Sequence, residues 1–500
     1  MDHLGDYYFV RHIVVVSGCR YVDVSERTIF GGRCCMSSVW KRIAGHLGEE
    51  PDSTQPAEGS MGLGRTFMLW LAANMVVTTM LTGTLFVPGI TYASALTVIV
   101  AGTLIGVCVL VLIGNIGTRT GLPTMILTRG SFGSRGGRLP AAFNLIVLMG
   151  WSWVQAILAG ITLNFVVEKF TGFSSPILFS VLCQTIVVVL ALLGHTGIQR
   201  VEPWLAVAML IVAAVVFYRA FSRFGVSSFF DIPEQPDVGM TTAVAFDVVV
   251  ATAVSWTVLS ADFNRHAKSQ RAGIVGTTLG YTASTVTSMT LGATTLAFVF
   301  LSGGEATSFD PTVILERFGL PLAVVIFLSV MATNTLVVYG MTMSFANLRP
   351  HSDYLKAALV IGFISILGAT WQSILNQFVS FLFLISALFV PVFAIMIVDY
   401  WILRRGRYDV TDLVAPRGGT YWYRGGINPA AIAAFIIGAG LDYYWIKISP
   451  LSFGSTIPTF VVTFVVYLAL SLMLGQGRDS LASRTRSAEP PAPTAREVKG

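Results

Sequence analysis

The chain has 500 residues, of which 54% are hydrophobic and only 12% charged, with a mean hydropathy of +0.72. Soluble globular chains carry roughly 25% charged residues, so a soluble multidomain enzyme, a disordered chain and a coiled coil are excluded. Residues 1–65 hold 15 of the charges and residues 475–500 hold 8, leaving 35 for the 409 residues between them. That middle stretch is built for lipid. The modest excess of 32 Lys and Arg over 26 Asp and Glu reads as orientation information in a membrane rather than as affinity for nucleic acid.

In chain order, residues 1–65 show no usable periodicity and no h-region. They are expected to form a poorly ordered cytoplasmic segment without a cleavable signal. A spanning helix needs about 20 mostly apolar residues. Twelve such runs follow, near 66–88, 91–114, 139–168, 176–194, 202–221, 240–260, 273–301, 320–347, 354–371, 375–403, 428–446 and 453–475. Residues 476–500 read as a disordered polar tail. Polar stretches such as Arg119–Arg138 and Arg265–Arg271 are expected to be loops. Five cysteines show no CxxC and no His/Cys ligand spacing, so neither a zinc site nor a disulfide framework is expected.

Orientation follows from the basic residues. Loops after even-numbered spans carry fifteen Lys and Arg, and loops after odd-numbered spans carry five. The positive-inside rule then places both termini in the cytoplasm, for a multi-pass protein of the inner (plasma) membrane.

The spans also repeat. Starts of spans one to five and six to ten differ by 174, 182, 181, 178 and 173 residues. A near-constant offset predicts two five-span halves, 66–221 and 240–403, with extra helices over 428–475. An odd span number per half inverts one half against the other, a hallmark of secondary transporters. The first span of each half is then expected to be broken at a midplane site. Span one contains AANMVVTTMLTGT, with Asn74 and four threonines, and span six contains TAVSWTVLSADF. Polar groups inside a span are costly without a partner, ligand or ion. Back-bonding of Ser and Thr to their own helix is the plain alternative for any one of them. For both repeat-related segments together, a binding site is the better reading.

The stretch TRGSFGSRGGRLPAAFNLIVLMGWSWVQAILAG (Thr128–Gly160) resembles the nucleobase:cation symporter-1 family, the purine-cytosine permeases. The resemblance rests on Arg129, Ser131, Phe132, Gly133, Gly150 and Trp151. Three more stretches agree in order and spacing: LSADFNRHAKS, ATNTLVVYGMTMSFANL and VPVFAIMIVDYWILRRGRYD. It covers roughly residues 64–475. The resemblance implies an all-α membrane protein with a leucine-transporter-like bundle of two inverted five-helix repeats plus two further helices.

A nucleobase is flat, neutral and rimmed with donors and acceptors, so its site needs an aromatic face and amide or hydroxyl groups at the edge. The resemblance places Trp151 where the family stacks the base. Gln155 lies one turn later on the same helix face, and an amide reads a lactam edge well. The family's second aromatic falls on Ala253, and Trp256 lies close to one turn further on. Either Trp256 forms the second wall or the sandwich is one-sided. Thr252 and Ser255 match hydroxyl or backbone contacts, and Asn74 and Asn334 are further amides expected at the site.

The resemblance also implies a sodium site between carbonyls of the broken first helix, about Leu71 to Met75, and the eighth-helix residues Ser329 and Thr333. Ala332 replaces one hydroxyl ligand there, so proton coupling stays open. Asp247 is its acidic candidate in span six, while Asp262 and Asp399 fall at helix ends, where capping or pairing with arginine is the better reading. No cofactor beyond a Na+ or H+ coupling ion is expected, and nothing in the sequence demands an oligomer. An amino acid permease of the same fold would need glycine amides in span one for a carboxylate, and an intramembrane enzyme would need paired carboxylates, a Ser/His pair or metal ligands in the spans. Span one has Asn74 and threonines there instead, and the spans show no such enzyme groups. A vitamin permease or a non-transporting sensor remains compatible with the sequence.

Overall fold

The computed structural model describes residues 55–193, 198–235, 239–304, 307–348, 354–415 and 417–476. The expectations for the N-terminal segment and for the tail fall almost wholly outside these residues. The main helices are α1 (Leu63–Asn74), α2 (Val77–Gly83), α3 (Tyr92–Thr120), α4 (Thr124–Phe132), α5 (Arg138–Thr171), α6 (Pro176–Leu193), α7 (Ile198–Phe224) and α8 (Thr242–Thr257). They continue as α9 (Ser260–Asn264), α10 (Gln270–Leu301), α11 (Pro311–Phe318), α12 (Leu320–Leu348), α13 (Tyr354–Gly368), α14 (Phe378–Ile397), α15 (Pro429–Lys447) and α16 (Thr456–Met473). The only β pairing among the described residues is two isolated bridges.

Eight single helices are long and apolar enough to cross a membrane, and α1 with α2 forms a ninth span bent by 62°. Three shorter apolar helices, Pro176–Leu192, Thr242–Thr257 and Lys356–Gly368, stand where spans four, six and nine were expected. By length and composition, nine spans rather than twelve qualify among the described residues. At span six the cause is local: the helix stops at Thr257, and Leu259 at φ −110° and ψ 2° separates it from α9.

The first span breaks as its polar sequence suggests. Asn74 closes α1, Met75 leaves helical geometry at ψ 61°, and Val76 is extended at φ −124° and ψ 158°. Asn74 bridges the break: its Nδ2 donates to Thr285 Oγ1 at 2.6 Å, and its Oδ1 accepts from Thr79 Oγ1 at 2.8 Å. Backbone groups in lipid need internal partners, and this amide ties the interrupted segment to α10. Gly83 and Gly292 let α2 and α10 touch at backbone distance. A Cβ on the first would strike the Met289 backbone, and one on the second the Met80 backbone.

One expected loop is a helix. Residues 124–132, inside the polar Arg119–Arg138 stretch, form α4, buried along most of its length. The Asp262 carboxylate accepts from Thr124 N–H at 3.0 Å, and Thr124 Oγ1 accepts from Ala261 N–H at 3.1 Å. This reciprocal pair closes the start of α4 against α9, as a capping box does within one helix.

The helices pack as α5 on α12, α3 on α8, α1 and α2 on α10, and α15 on α16. Large apolar side chains such as Leu104, Phe363 and Val465 remain exposed, which suits a surface that meets lipid. Starts of α1, α3, α5, α6 and α7 precede those of α8, α10, α12, α13 and α14 by 179, 178, 182, 178 and 180 residues. The spacing of the two halves is therefore tighter than the sequence segmentation suggested.

Candidate functional site

A cavity lies where the two broken segments meet α5 and α12. Its lining is Thr78, Thr79 and Thr82 from α2, Leu148, Trp151 and Gln155 from α5, and Thr252, Ser255, Trp256 and Leu259 around the end of α8, completed by Thr333 and Val337 from α12. Among the described residues no charged side chain lines it. Leu148, Trp151 and Gln155 sit at i, i+3 and i+7, one face of a helix.

Trp151 is held in place. Its Nε1–H donates to Ser255 Oγ at 3.0 Å, and Phe378 and Phe381 meet the ring edge-on at 5.7 and 5.4 Å between centroids. Trp256 lines the same cavity and packs on the cluster of Trp70, Tyr281 and Ala253. Ala253, at the family's aromatic position, faces α3 instead, where a Cβ on Gly106 would meet it. The second indole of the cavity is therefore Trp256.

The polar groups of the lining differ in their partners. Thr82, Thr252 and Thr333 each donate to the carbonyl four residues back, at 2.8, 2.9 and 3.0 Å. Gln155 is 3% exposed and its amide takes part in no hydrogen bond among the described residues. Thr78 is 6% exposed and its hydroxyl is likewise without a partner there.

Two amides expected at the site lie elsewhere. Asn74 is fully buried at the break, engaged by Thr285 and Thr79. Asn334 donates to Gln184 Oε1 at 2.8 Å, and Gln184 in turn reaches Ser152 and Ser365. This network joins α5, α6, α12 and α13 behind the cavity wall, because Asn334 is one helical position past Thr333 and so points about 100° away.

Of the residues expected at an ion site, Thr333 lines the cavity and donates to the Ser329 carbonyl. The Leu71 carbonyl accepts the Met75 N–H at 3.0 Å, and Met75 Sδ accepts from Ser288 Oγ at 3.1 Å. Asp247 is engaged elsewhere. Its carboxylate accepts Ser455 N–H at 2.6 Å and Thr456 N–H at 3.2 Å, closing the start of α16. Asp399 accepts from Tyr408 and Tyr467 hydroxyls at 2.7 and 3.0 Å. In the nearby loop, burial pushes the Tyr421 hydroxyl up to about 12, so it stays a neutral phenol where it accepts from Asp409 N–H at 2.9 Å.

The permease family for cytosine/purines, uracil, thiamine and allantoin matches residues 57–472. The chain belongs to this family, the nucleobase:cation symporter-1 transporters. A putative purine-cytosine permease of Bacillus subtilis is 28% identical over 71% of this chain and 80% of its own length. The cytosine permease of Escherichia coli K12 is 26% identical over 69% of this chain and 79% of its own. Among solved structures, Mhp1 in its inward facing conformation superposes with a TM-score of 0.71 at 20% identity, covering 86% of this chain and 92% of that one. Mhp1 closed around bromovinylhydantoin gives 0.69 at 20% identity, covering 88% and 96%. The fold is thus the leucine-transporter-like bundle that the sequence implied, and the protein is a membrane transporter rather than an enzyme.

The sequence reading missed Leu148, Leu259 and Val337. Leu148 stands three residues before Trp151 and Val337 four after Thr333, so helical spacing from the polar members was the signal that would have found both.

Proposed function

We propose that this permease imports a neutral, nucleobase-like heterocycle of the cytosine, purine, uracil, allantoin or hydantoin type by cation symport, with alternating access around the cavity. The observation that carries the reading is the lining itself: two indole walls, uncharged polar edges and a free Gln155 amide between two interrupted helices. A flat ring stacks on indole, and burying it without a counter-charge suits a neutral solute. Trp151 and Trp256 form the walls, Gln155 reads a lactam edge, Ser255 holds Trp151 in its orientation, and Thr252 offers an acceptor oxygen.

The coupling ion in this reading is sodium, held by the Leu71 and Met75 carbonyls with Ser329 and Thr333. What favours it over a proton is the engagement of Asp247 with the start of α16. A protein of the inner membrane with both termini cytoplasmic puts the arginine-rich end inside. Mhp1, named with bromovinylhydantoin bound, and the cytosine permease of Escherichia coli carry the ligand class by likeness.

The test is equilibrium binding of cytosine, uracil, allantoin and hydantoin to purified protein, then uptake of the binders into proteoliposomes. Saturable binding and accumulation of at least one heterocycle are expected. Binding of none, or binding without translocation, overturns the reading in favour of a sensor or another cargo.

A further inference from the structure

A threonine in a helix normally donates its hydroxyl to the carbonyl four residues back, and at least ten threonines here do so, among them Thr66, Thr82, Thr120, Thr252 and Thr333. Thr78 cannot. Its fourth preceding residue is Asn74, the last residue of α1, and the chain between them leaves the helix at Met75 and Val76. The acceptor that continuous helix would have presented is turned away by the 62° bend.

Its neighbour shows the local remedy. Thr79 meets the same break and donates to the Asn74 side-chain oxygen instead. That oxygen serves Thr79, and Thr78 is left with no hydrogen bond among the described residues although it is 94% buried. Thr78 lines the cavity, and its hydroxyl is not among the atoms sealed off from solvent. Besides the Trp256 indole, Thr78 and Gln155 are the polar side chains of the lining that make no hydrogen bond among the described residues. They stand on different helices, α2 and α5.

We propose that Thr78 is a specificity-determining residue that reads a second polar edge of the transported ring, while Gln155 reads the first. The inference rests on the transport reading and deepens it: the favoured cargo carries hydrogen-bonding groups on two edges, as cyclic imides and ureides do, rather than on one. A threonine hydroxyl both donates and accepts, so it fits a ring carbonyl or a ring N–H. The break in span one thereby does two things at once. It frees a backbone segment, and it deprives one hydroxyl of its helical acceptor so that a ligand becomes that hydroxyl's partner.

The experiment compares ligands that differ at one edge. Uracil is paired with 2-pyridone, and hydantoin with 2-pyrrolidinone; each second member keeps one lactam edge and lacks the other. Binding is measured by calorimetry on wild type, Thr78→Val and Thr78→Ser. Thr78→Val keeps the shape and removes the hydroxyl. It is expected to weaken uracil or hydantoin about 5–10-fold, the loss of one hydrogen bond, and to leave the one-edge partners within twofold. Thr78→Ser is expected to stay near wild type. Equal weakening of both members of a pair, or no change in either, overturns the assignment while the wild-type affinities still stand for the transport reading. Wild-type protein that binds none of the four overturns the transport reading and this inference together. Melting temperature of Thr78→Val is measured alongside; a hydroxyl without a protein partner predicts no loss of stability.

Discussion

The cavity and the cluster around Asp399 are both buried and polar, yet their hydrogen bonds are arranged in opposite ways. Around Asp399 the groups are closed on one another. Two tyrosines donate to its carboxylate, Tyr423 accepts from Arg404 Nη2 at 3.0 Å and donates to the Gly130 carbonyl at 2.7 Å, and Asn428 donates to the Ser131 carbonyl at 2.7 Å. The cluster ties the end of α14 to α4 and α16, with Arg404 Nε left unpaired inside it. In the cavity Thr78 and Gln155 have no partner, at similar burial. Polar groups whose partners are internal hold helices together; polar groups that line a cavity without a partner are free to meet a ligand there. Unpaired buried atoms also occur away from the cavity, Arg404 Nε and Asn334 Oδ1 among them, so it is the missing partner together with a place in the cavity lining that separates site from strut.

The largest expected effect falls on the strut. Asp399→Ala removes the acceptor of two buried tyrosine hydroxyls, each costing roughly 1–3 kcal/mol when left unpaired. A marked fall in melting temperature of the purified protein is expected, with a smaller fall for Asp399→Asn, which keeps an acceptor oxygen. Wild-type melting of Asp399→Ala would show that the cluster holds nothing.

Trp151→Ala comes next and should act oppositely: binding lost, fold kept. Stacking of a base on an aromatic ring contributes about 1–3 kcal/mol, so ligand affinity is expected to fall roughly 10–100-fold while size-exclusion behaviour stays that of wild type. Unchanged affinity removes Trp151 from the wall. Gln155→Ala sharpens the contrast further. Because Gln155 makes no hydrogen bond within the protein, its loss is expected to cost no stability, yet to weaken a lactam ligand by about 1–2 kcal/mol. A drop in melting temperature with intact binding would place Gln155 with the struts.

Much of this was legible in the residues. Composition alone demanded helices in lipid, because an unpaired backbone has no solvent there. The breaks were legible because polar side chains cluster at Ala72–Thr84 and Thr252–Phe263. Trp151 and Gln155 share a face by spacing. What could not be read was which way the other polar residues point. In a helix buried along most of its length, as α5 is, the apolar stripe that reveals orientation weakens, and α12 carries polar residues toward two different partners, Thr333 at the cavity and Asn334 at Gln184. So the sequence puts Asn334 at the site although it faces Gln184, puts Asn74 there although it braces the break, and reads residues 124–132 as a loop because their burial comes from distant partners such as Asp262.

The smallest and most informative effect concerns the ion. In the sodium reading Thr333 is the hydroxyl ligand left beside Ser329, since Ala332 has none. Hard cations take oxygen ligands, and a site built largely of carbonyls tolerates the loss of one oxygen with weakened binding. The Thr333 proton already points at the Ser329 carbonyl, which leaves the lone pairs of Oγ1 for a cation. Thr333→Ala is therefore expected to raise the sodium concentration for half-maximal uptake several-fold, and Ala332→Ser to lower it. Neither variant breaks a contact between helices, so both should melt like the wild type. The measurement is initial uptake into proteoliposomes against sodium with the pH gradient collapsed. Sodium-independent uptake that follows an imposed pH gradient would end the sodium reading. Asp247 would then be the carboxylate to replace, and its bonds to Ser455 and Thr456 would be the link between protonation and movement of α16.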